Sequence, residues 1–206
     1  MFRKSGYLLV ALILPVTIYA SGNNTADVLP QQVKQCDRCH SENSTVRSIA
    51  PSLDGMSEPY LVEQLENFRQ ARRGADSADP YTLEMSQQAK ALDEEQVARL
   101  ADYYAGRKRL PSTGTVPGNV GHGEQLYKEK CGGCHSSLFG RFFTRSPRIT
   151  HLKASYILAE LSEFATGERR VKHDSKHKLK MVAVAKQLND VDRADIVAYI
   201  KAAPTH

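Results

Sequence analysis

The chain has 206 residues, 41 % of them hydrophobic and 25 % charged, which excludes wholesale disorder and suits one mid-sized core or two small ones. Its formal charge of +5 is unevenly spread: residues 21–110 carry fourteen acids against eleven Lys and Arg, and residues 111–206 nine acids against fifteen bases. That asymmetry is a dipole able to orient the protein toward a charged partner. The basic half shows no helix-turn-helix or zinc-finger spacing, so no nucleic-acid partner is expected.

The first twenty residues form a leader. Arg3 and Lys4 precede an almost uninterrupted apolar run from Tyr7 to Ala20, and Ser21-Gly-Asn-Asn24 then turns polar. This is the layout of a secretory signal peptide cut after Ala20, so the mature chain is expected to be exported. Ile18 stands where a small residue is preferred, so an uncleaved, anchoring leader is the alternative. The apolar run of fourteen residues is short for a spanning helix, which needs about 20.

All four cysteines fall in two matching clusters, Cys36-Asp-Arg-Cys39-His40 and Cys131-Gly-Gly-Cys134-His135. Each is C-x-x-C-H, the attachment signature of c-type haem. Two thioethers clamp one porphyrin edge, so the thiols must sit about one helical turn apart, and the following His then aims at the iron. Two disulfides, a thioredoxin-like pair or a zinc site would each leave part of this double pattern unused. The expected cofactors are therefore two covalently attached haem c groups with their iron, held by Cys36, Cys39, Cys131 and Cys134, with His40 and His135 as iron ligands.

The chain is written twice. At an offset of 96, Pro51 matches Pro147, Tyr60 Tyr156, Leu65 Leu161, Phe68 Phe164, Met85 Met181, Leu92 Leu188 and Tyr103 Tyr199. The haem clusters are offset by 95, so one residue is gained or lost between His40 and Pro51 relative to its counterpart. The expected division is a signal peptide at 1–20, a first domain at 21–110, a linker at 111–120 rich in turn formers, and a second domain at 121–206.

Each half reads as four parts. A helix leads into the haem cluster, at Leu29 to Cys39 and Gly123 to Cys134, and a loop follows to Pro51 or Pro147. A second helix runs from Glu58 to Arg72 or from Lys153 to Ala165, capped by Ser57 or Thr150. A final helix follows Asp93 or Asn189 as N-cap, with only Gln96 completing the usual capping box. No stretch alternates as a strand, so the fold class is all-α, and each half is small enough to need its haem as core.

The repeat also nominates the remaining iron ligands. Met85 and Met181 occupy matched positions, each seven residues before Leu92 or Leu188, and a thioether ligand favours reduced iron. Met56 is a rival whose twin, Leu152, cannot ligate. His122, His151, His173 and His177 read as surface residues, and the run from Arg169 to Lys180 as a solvated face or docking patch.

These residues resemble the two-haem cytochrome c4 family. The resemblance rests on both C-x-x-C-H clusters, Pro51-Ser-Leu-Asp-Gly55, Tyr60-Leu-Val-Glu-Gln-Leu-Glu-Asn-Phe-Arg69, Met85 and Leu100-Ala-Asp-Tyr-Tyr-Ala-Gly106. In the second half it rests on Pro147-Arg-Ile149, Tyr156-Ile-Leu-Ala-Glu-Leu161, Met181 and Asp195-Ile-Val-Ala-Tyr-Ile200. It implies two tandem cytochrome c domains, His and Met ligation, haems that approach across the domain boundary, and single-electron delivery from a bc1-type donor toward a terminal oxidase of the cbb3 or a similar type. Transient association with a membrane surface is compatible with that role. The chain departs from the family at Ser41 and Ser136, where Gly is usual, at Thr150-His151, where Gly-Gln is usual, and in its dense basic run. The alternatives are an anchored or bound electron-transfer subunit, and a dihaem peroxidase-type enzyme, which needs an open iron position.

Overall fold

The computed structural model describes residues 25–41, 50–74, 77, 79–112, 114–171 and 175–202; the leader and His173 lie outside them. Among the described residues the regular structure is helical throughout. In the first half, α1 (Thr25–His40) ends on the haem-cluster histidine and α2 (Glu58–Arg69) follows Ser57, whose hydroxyl makes no capping bond. In α3 (Pro80–Lys90) the Asp79 carboxylate accepts from Thr82 N–H at 2.8 Å. The final helix of this half, α4 (Glu94–Gly106), opens on the expected capping box: Gln96 N–H donates to Asp93 at 2.8 Å and Asp93 N–H to Gln96 at 2.9 Å.

The second half begins with α5 (Val120–Leu126), passes through one π-helical turn at Tyr127–Cys131, and ends its cluster in α6 (Gly132–His135). A short α7 (Leu138–Thr144) is followed by α8 (Ala154–Thr166), α9 (Lys176–Gln187) and α10 (Asp190–Ala202). Helices α2, α3 and α4 start at residues 58, 80 and 94, and α8, α9 and α10 at 154, 176 and 190, so the register of 96 holds for all three. The packing repeats as well. In the first half α2 lies on α3 and α4 while α1 crosses α4; in the second α8 lies on α9 and α10 while α5 crosses α10.

Three local expectations need correction. Both methionine segments are helices, α3 and α9, which the four-part reading omitted; α3 buries only Ser86 and Ala89, too few residues to print an apolar period. The stretch after His135 is partly helical, as α7. Lys153, not Thr150, precedes α8, while at α10 Asn189 and Asp192 close a reciprocal pair (Asp192 N–H to Asn189 at 2.9 Å, Asn189 N–H to Asp192 at 3.1 Å), so a short carboxylate serves where Gln or Glu is usual.

One buried apolar cluster runs through both halves, joining Val33, Leu61, Leu100 and Tyr104 to Ile157, Leu161, Ile196 and Ile200. Each such aliphatic side chain contributes about 1.5–3 kcal/mol on burial. Between the halves lies a charged clamp. Arg73 pairs with Glu160 and, at 3.2 Å, with Glu163, and Arg169 pairs with Glu160 and donates to Gln64 at 2.7 Å. Lys178 pairs with Glu63, and Arg170 N–H donates to the Arg72 carbonyl at 3.0 Å.

Arg169 and Lys178 are therefore interdomain contacts and not part of a solvated face. Arg169 reaches the first half through Gln64 and Lys178 through Glu63, both on α2 and far away in sequence, which is why the basic run read as solvated. Burying such ions offsets much of their attraction, so the clamp fixes the relative placement of the halves more than it adds stability. The segment before α5 is held too: Lys201 Nζ donates to the Ser112 carbonyl at 2.8 Å, and Val116 packs on the shared core.

Candidate haem sites

Helix α1 carries Cys36 and Cys39 on successive turns and delivers His40 at its end. His40 Nδ1 lies 2.8 Å from the Pro51 carbonyl. A carbonyl only accepts, so Nδ1 bears the proton and Nε2 keeps its lone pair for a metal. His135 repeats this contact, with Nδ1 3.1 Å from the Pro147 carbonyl. The histidine and proline are 11 residues apart in the first half and 12 in the second, so the odd residue is absorbed in the loop while the proline keeps its place.

Burial holds both imidazoles below their ordinary pKa, which favours the neutral, ligating form. Burial also pushes the Cys36 and Cys131 thiols up to about 11, the reverse of a reactive thioredoxin-like pair. The four cysteines form no disulfide, and among the described residues no three His, Cys, Asp or Glu converge as a zinc cage would require.

In the second half one largely apolar cavity is bordered by Cys131, Cys134 and His135 on one side and by Met181 on the other. Tyr156, Ile157, Leu161 and Phe164 of α8 and Ile196 and Ile200 of α10 complete its walls, and Tyr60 and Gln64 of the first half reach its edge. All four residues nominated for the second site thus face one space. Met85 is half-buried and, like Met181, is the sixth residue of its helix.

Of the rival ligands, Met56, His122 and His151 are engaged elsewhere. Met56 is 7 % exposed and its twin Leu152 6 %, both in the core. His122 Nδ1 is 2.8 Å from the buried Asp195 carboxylate, and His151 lies beside the Thr150 hydroxyl, its pKa pushed down to about 4 by burial and the charges of Arg109 and Arg148. His177 is exposed at the cavity mouth.

Sequence reasoning missed the cations at the boundary. Arg73 Nε and Lys153 Nζ are buried with no hydrogen-bond partner among the described residues. Lys153 belongs to the second half, yet its charge helps hold down the pKa of His40 in the first. Buried donors of this kind call for an anion, and the two carboxylates of a haem would supply one. The donor set (paired thiols, an imidazole with a free Nε2, a thioether, apolar walls and the unpartnered Arg73 Nε and Lys153 Nζ) fits haem c. No local pattern marks Arg73 or Lys153; the twin tyrosines Tyr60 and Tyr156, which the sequence offers only as a repeat match, are both buried against Arg73 and Arg169.

Each cluster has its own support. In the first, the Asp37 carboxylate accepts from Tyr104 Oη at 2.8 Å and from Arg107 at 3.2 Å, and Arg107 also reaches Asp54 at 3.0 Å. In the second, Arg141 donates to the His135 and Ser136 carbonyls at 3.2 and 2.9 Å, and Tyr127 packs on Tyr199 with ring centres 5.3 Å apart.

The comparisons with known proteins agree with this geometry. The sequence-family model for cytochrome c matches residues 30–106 and again 120–204. Cytochrome c4 of Pseudomonas aeruginosa is 28 % identical over 207 residues, spanning 94 % of this chain and 97 % of that protein. A protein of Thiomonas intermedia named thiosulfate dehydrogenase electron acceptor is 30 % identical over 154 residues, spanning 68 % of this chain and 67 % of its own. The structure of cytochrome c4 from Acidithiobacillus ferrooxidans superposes with a TM-score of 0.65 at 25 % identity, covering 82 % of this chain and 99 % of that one. Proteins of this kind carry electrons and imply bound haem. The chain belongs to the cytochrome c family, with two tandem copies of its fold arranged as in the cytochromes c4.

Proposed function

We propose that the chain is a periplasmic carrier of single electrons with two haem c groups, one attached at Cys36 and Cys39 with His40 and Met85 as iron ligands, the other at Cys131 and Cys134 with His135 and Met181. The domains are 21–110 and 121–206, joined by 111–120, behind a leader of 1–20. The observation that carries this reading is the repeated histidine–proline contact directly after each paired-cysteine cluster. Haem iron supplies the one-electron couple. The protein's own part is positional. Each proline carbonyl fixes one tautomer and one ring direction, the apolar walls keep water from the second site, and the Arg73–Glu160–Arg169 clamp holds the two sites in one arrangement.

For partners, the reading favours a bc1-type donor and a cbb3-type or similar oxidase, met in brief, charge-steered encounters. A second donor class, an oxidoreductase acting on thiosulfate, is favoured by the name of the Thiomonas relative. The test is stopped-flow oxidation of the reduced holoprotein by oxidase-containing membranes, with the haem content measured beside it. Two haems per chain and a rate that falls with ionic strength support the reading. One haem per chain, or turnover of hydrogen peroxide as a substrate, contradicts it.

A further inference from the structure

Helix α7 is built inside out. Its Gly140 lies so close to the Gly133 carbonyl that a Cβ there would stand 2.4 Å from the oxygen, and Arg141 and Thr144 turn back toward the second haem cluster. The opposite face is Leu138, Phe139, Phe142 and Phe143, which are 73 %, 75 %, 77 % and 71 % exposed. They are not walls of the cofactor cavity: its border includes Thr144, Arg145, Ser146 and Pro147 but none of these four. The counterpart in the first half, Ser41 to Ala50, has only Val46 and Ile49 as large apolar residues and includes Glu42.

The surroundings carry one sign of charge. From Cys131 to Leu152 the sequence holds Arg141, Arg145 and Arg148 and no Asp or Glu. Arg109 stands near Arg141 and Arg148, and among the described residues none of these four arginines pairs with a carboxylate.

We infer that the Leu138–Phe143 face of α7, with the arginines around it, is an interfacial anchor that dips into an anionic lipid surface. Rings exposed beyond 70 % stand clear of their neighbours and can enter the headgroup boundary, where an interfacial helix with a cationic border buries its apolar face. A second copy is disfavoured because a two-fold contact would press one arginine cluster against the other. Anionic headgroups answer both features: acyl chains receive the apolar side chains, and each nearby cation adds about 1 kcal/mol to the attraction. No helix among the described residues is long and apolar enough to cross a membrane, so the contact is peripheral. The inference rests on the proposed periplasmic location for its access to a bilayer, and it holds the second site against that surface.

The test is flotation of the haem-loaded protein with vesicles of phosphatidylcholine alone and of phosphatidylcholine mixed with phosphatidylglycerol. The native protein, Phe139→Ser with Phe142→Ser, and Arg145→Glu with Arg148→Glu are compared on the same N-terminus, each shown by its visible spectrum to retain both haems. The expected result is binding to the mixed vesicles at low salt, weakened at least about tenfold by either pair of substitutions. No binding to mixed vesicles, or binding that both variants retain, overturns the inference. So does a dimer, seen by sedimentation, that the Phe substitutions abolish, or loss of capture by an acidic redox protein with vesicle binding unchanged. Electron transfer to a small soluble acceptor, measured on the same samples, tests the carrier reading separately.

Discussion

The two candidate haem sites keep one contact and differ in much of what holds it. At both, a histidine Nδ1 donates to a proline carbonyl, at 2.8 Å in the first half and 3.1 Å in the second. Around His40 the support is a polar staple, Tyr104 and Arg107 on Asp37 with Asp54 behind, and much of it stays in contact with water. Around His135 it is close packing: the backbones of α5 and α10 meet at Gly123, where a Cβ would stand 1.9 Å from the Asp195 carbonyl oxygen. After duplication, the feature retained is the one that sets imidazole direction and tautomer. The means of fastening the cluster to its terminal helix diverged into a half-exposed ionic staple on one side and, on the other, backbone close packing joined by hydrogen bonds to the buried Asp195.

The contrast can be broken most severely at the seam. Glu160→Ala leaves Arg73 and Arg169 buried without their shared carboxylate, a loss of about 3–5 kcal/mol. Calorimetry of the holoprotein should then resolve two transitions where the native protein gives one; a single transition at an unchanged temperature would show that the clamp does not join the halves. Gly123→Ala forces α5 away from α10, and overpacking of this kind costs about 1–3 kcal/mol. The loss should appear in the second domain, with the first unmoved in a denaturant titration followed by the haem absorbance of single-site variants.

Tyr104→Phe removes one donor from Asp37 while Arg107 remains, so about 1 kcal/mol should be lost, and from the first domain. The smallest effect is one of pH. The hydrogen bond from His122, and then that from Asn119 N–H, holds the Asp195 carboxyl below its ordinary range. A depressed folded-state pKa gives stability that is present above the unfolded value, about 4, and is lost as pH falls through the lower folded value. The second domain should therefore weaken from about pH 4 downward, and Asp195→Asn should flatten that dependence in acid denaturation curves.

The candidate sites were legible in sequence because their chemistry is local. Paired cysteines and the adjacent histidine recur at an offset of 95 and the matched methionines at 96, so the single-residue slip after His40 was visible as a change of offset. The Asp93–Gln96 box was legible for the same reason. The contacts that were missed join distant segments: Arg73, Lys153 and Arg169 acquire meaning only when the halves dock, and nothing near Lys178 signals Glu63. Helix α7 was missed because its apolar residues face outward, so an amphipathic reading had no buried stripe to find. The methionine helices were missed because both are predominantly polar on their exposed sides and bury only small residues.

The central claim is that the chain holds two equivalent iron sites, each with a histidine and a methionine. Visible and near-infrared spectroscopy of the oxidised holoprotein tests it directly, with Met85→Ala and Met181→Ala made one at a time. The account predicts that the sulfur-to-iron charge-transfer band halves with each substitution and disappears when both are made. A band that survives both substitutions undiminished would contradict it.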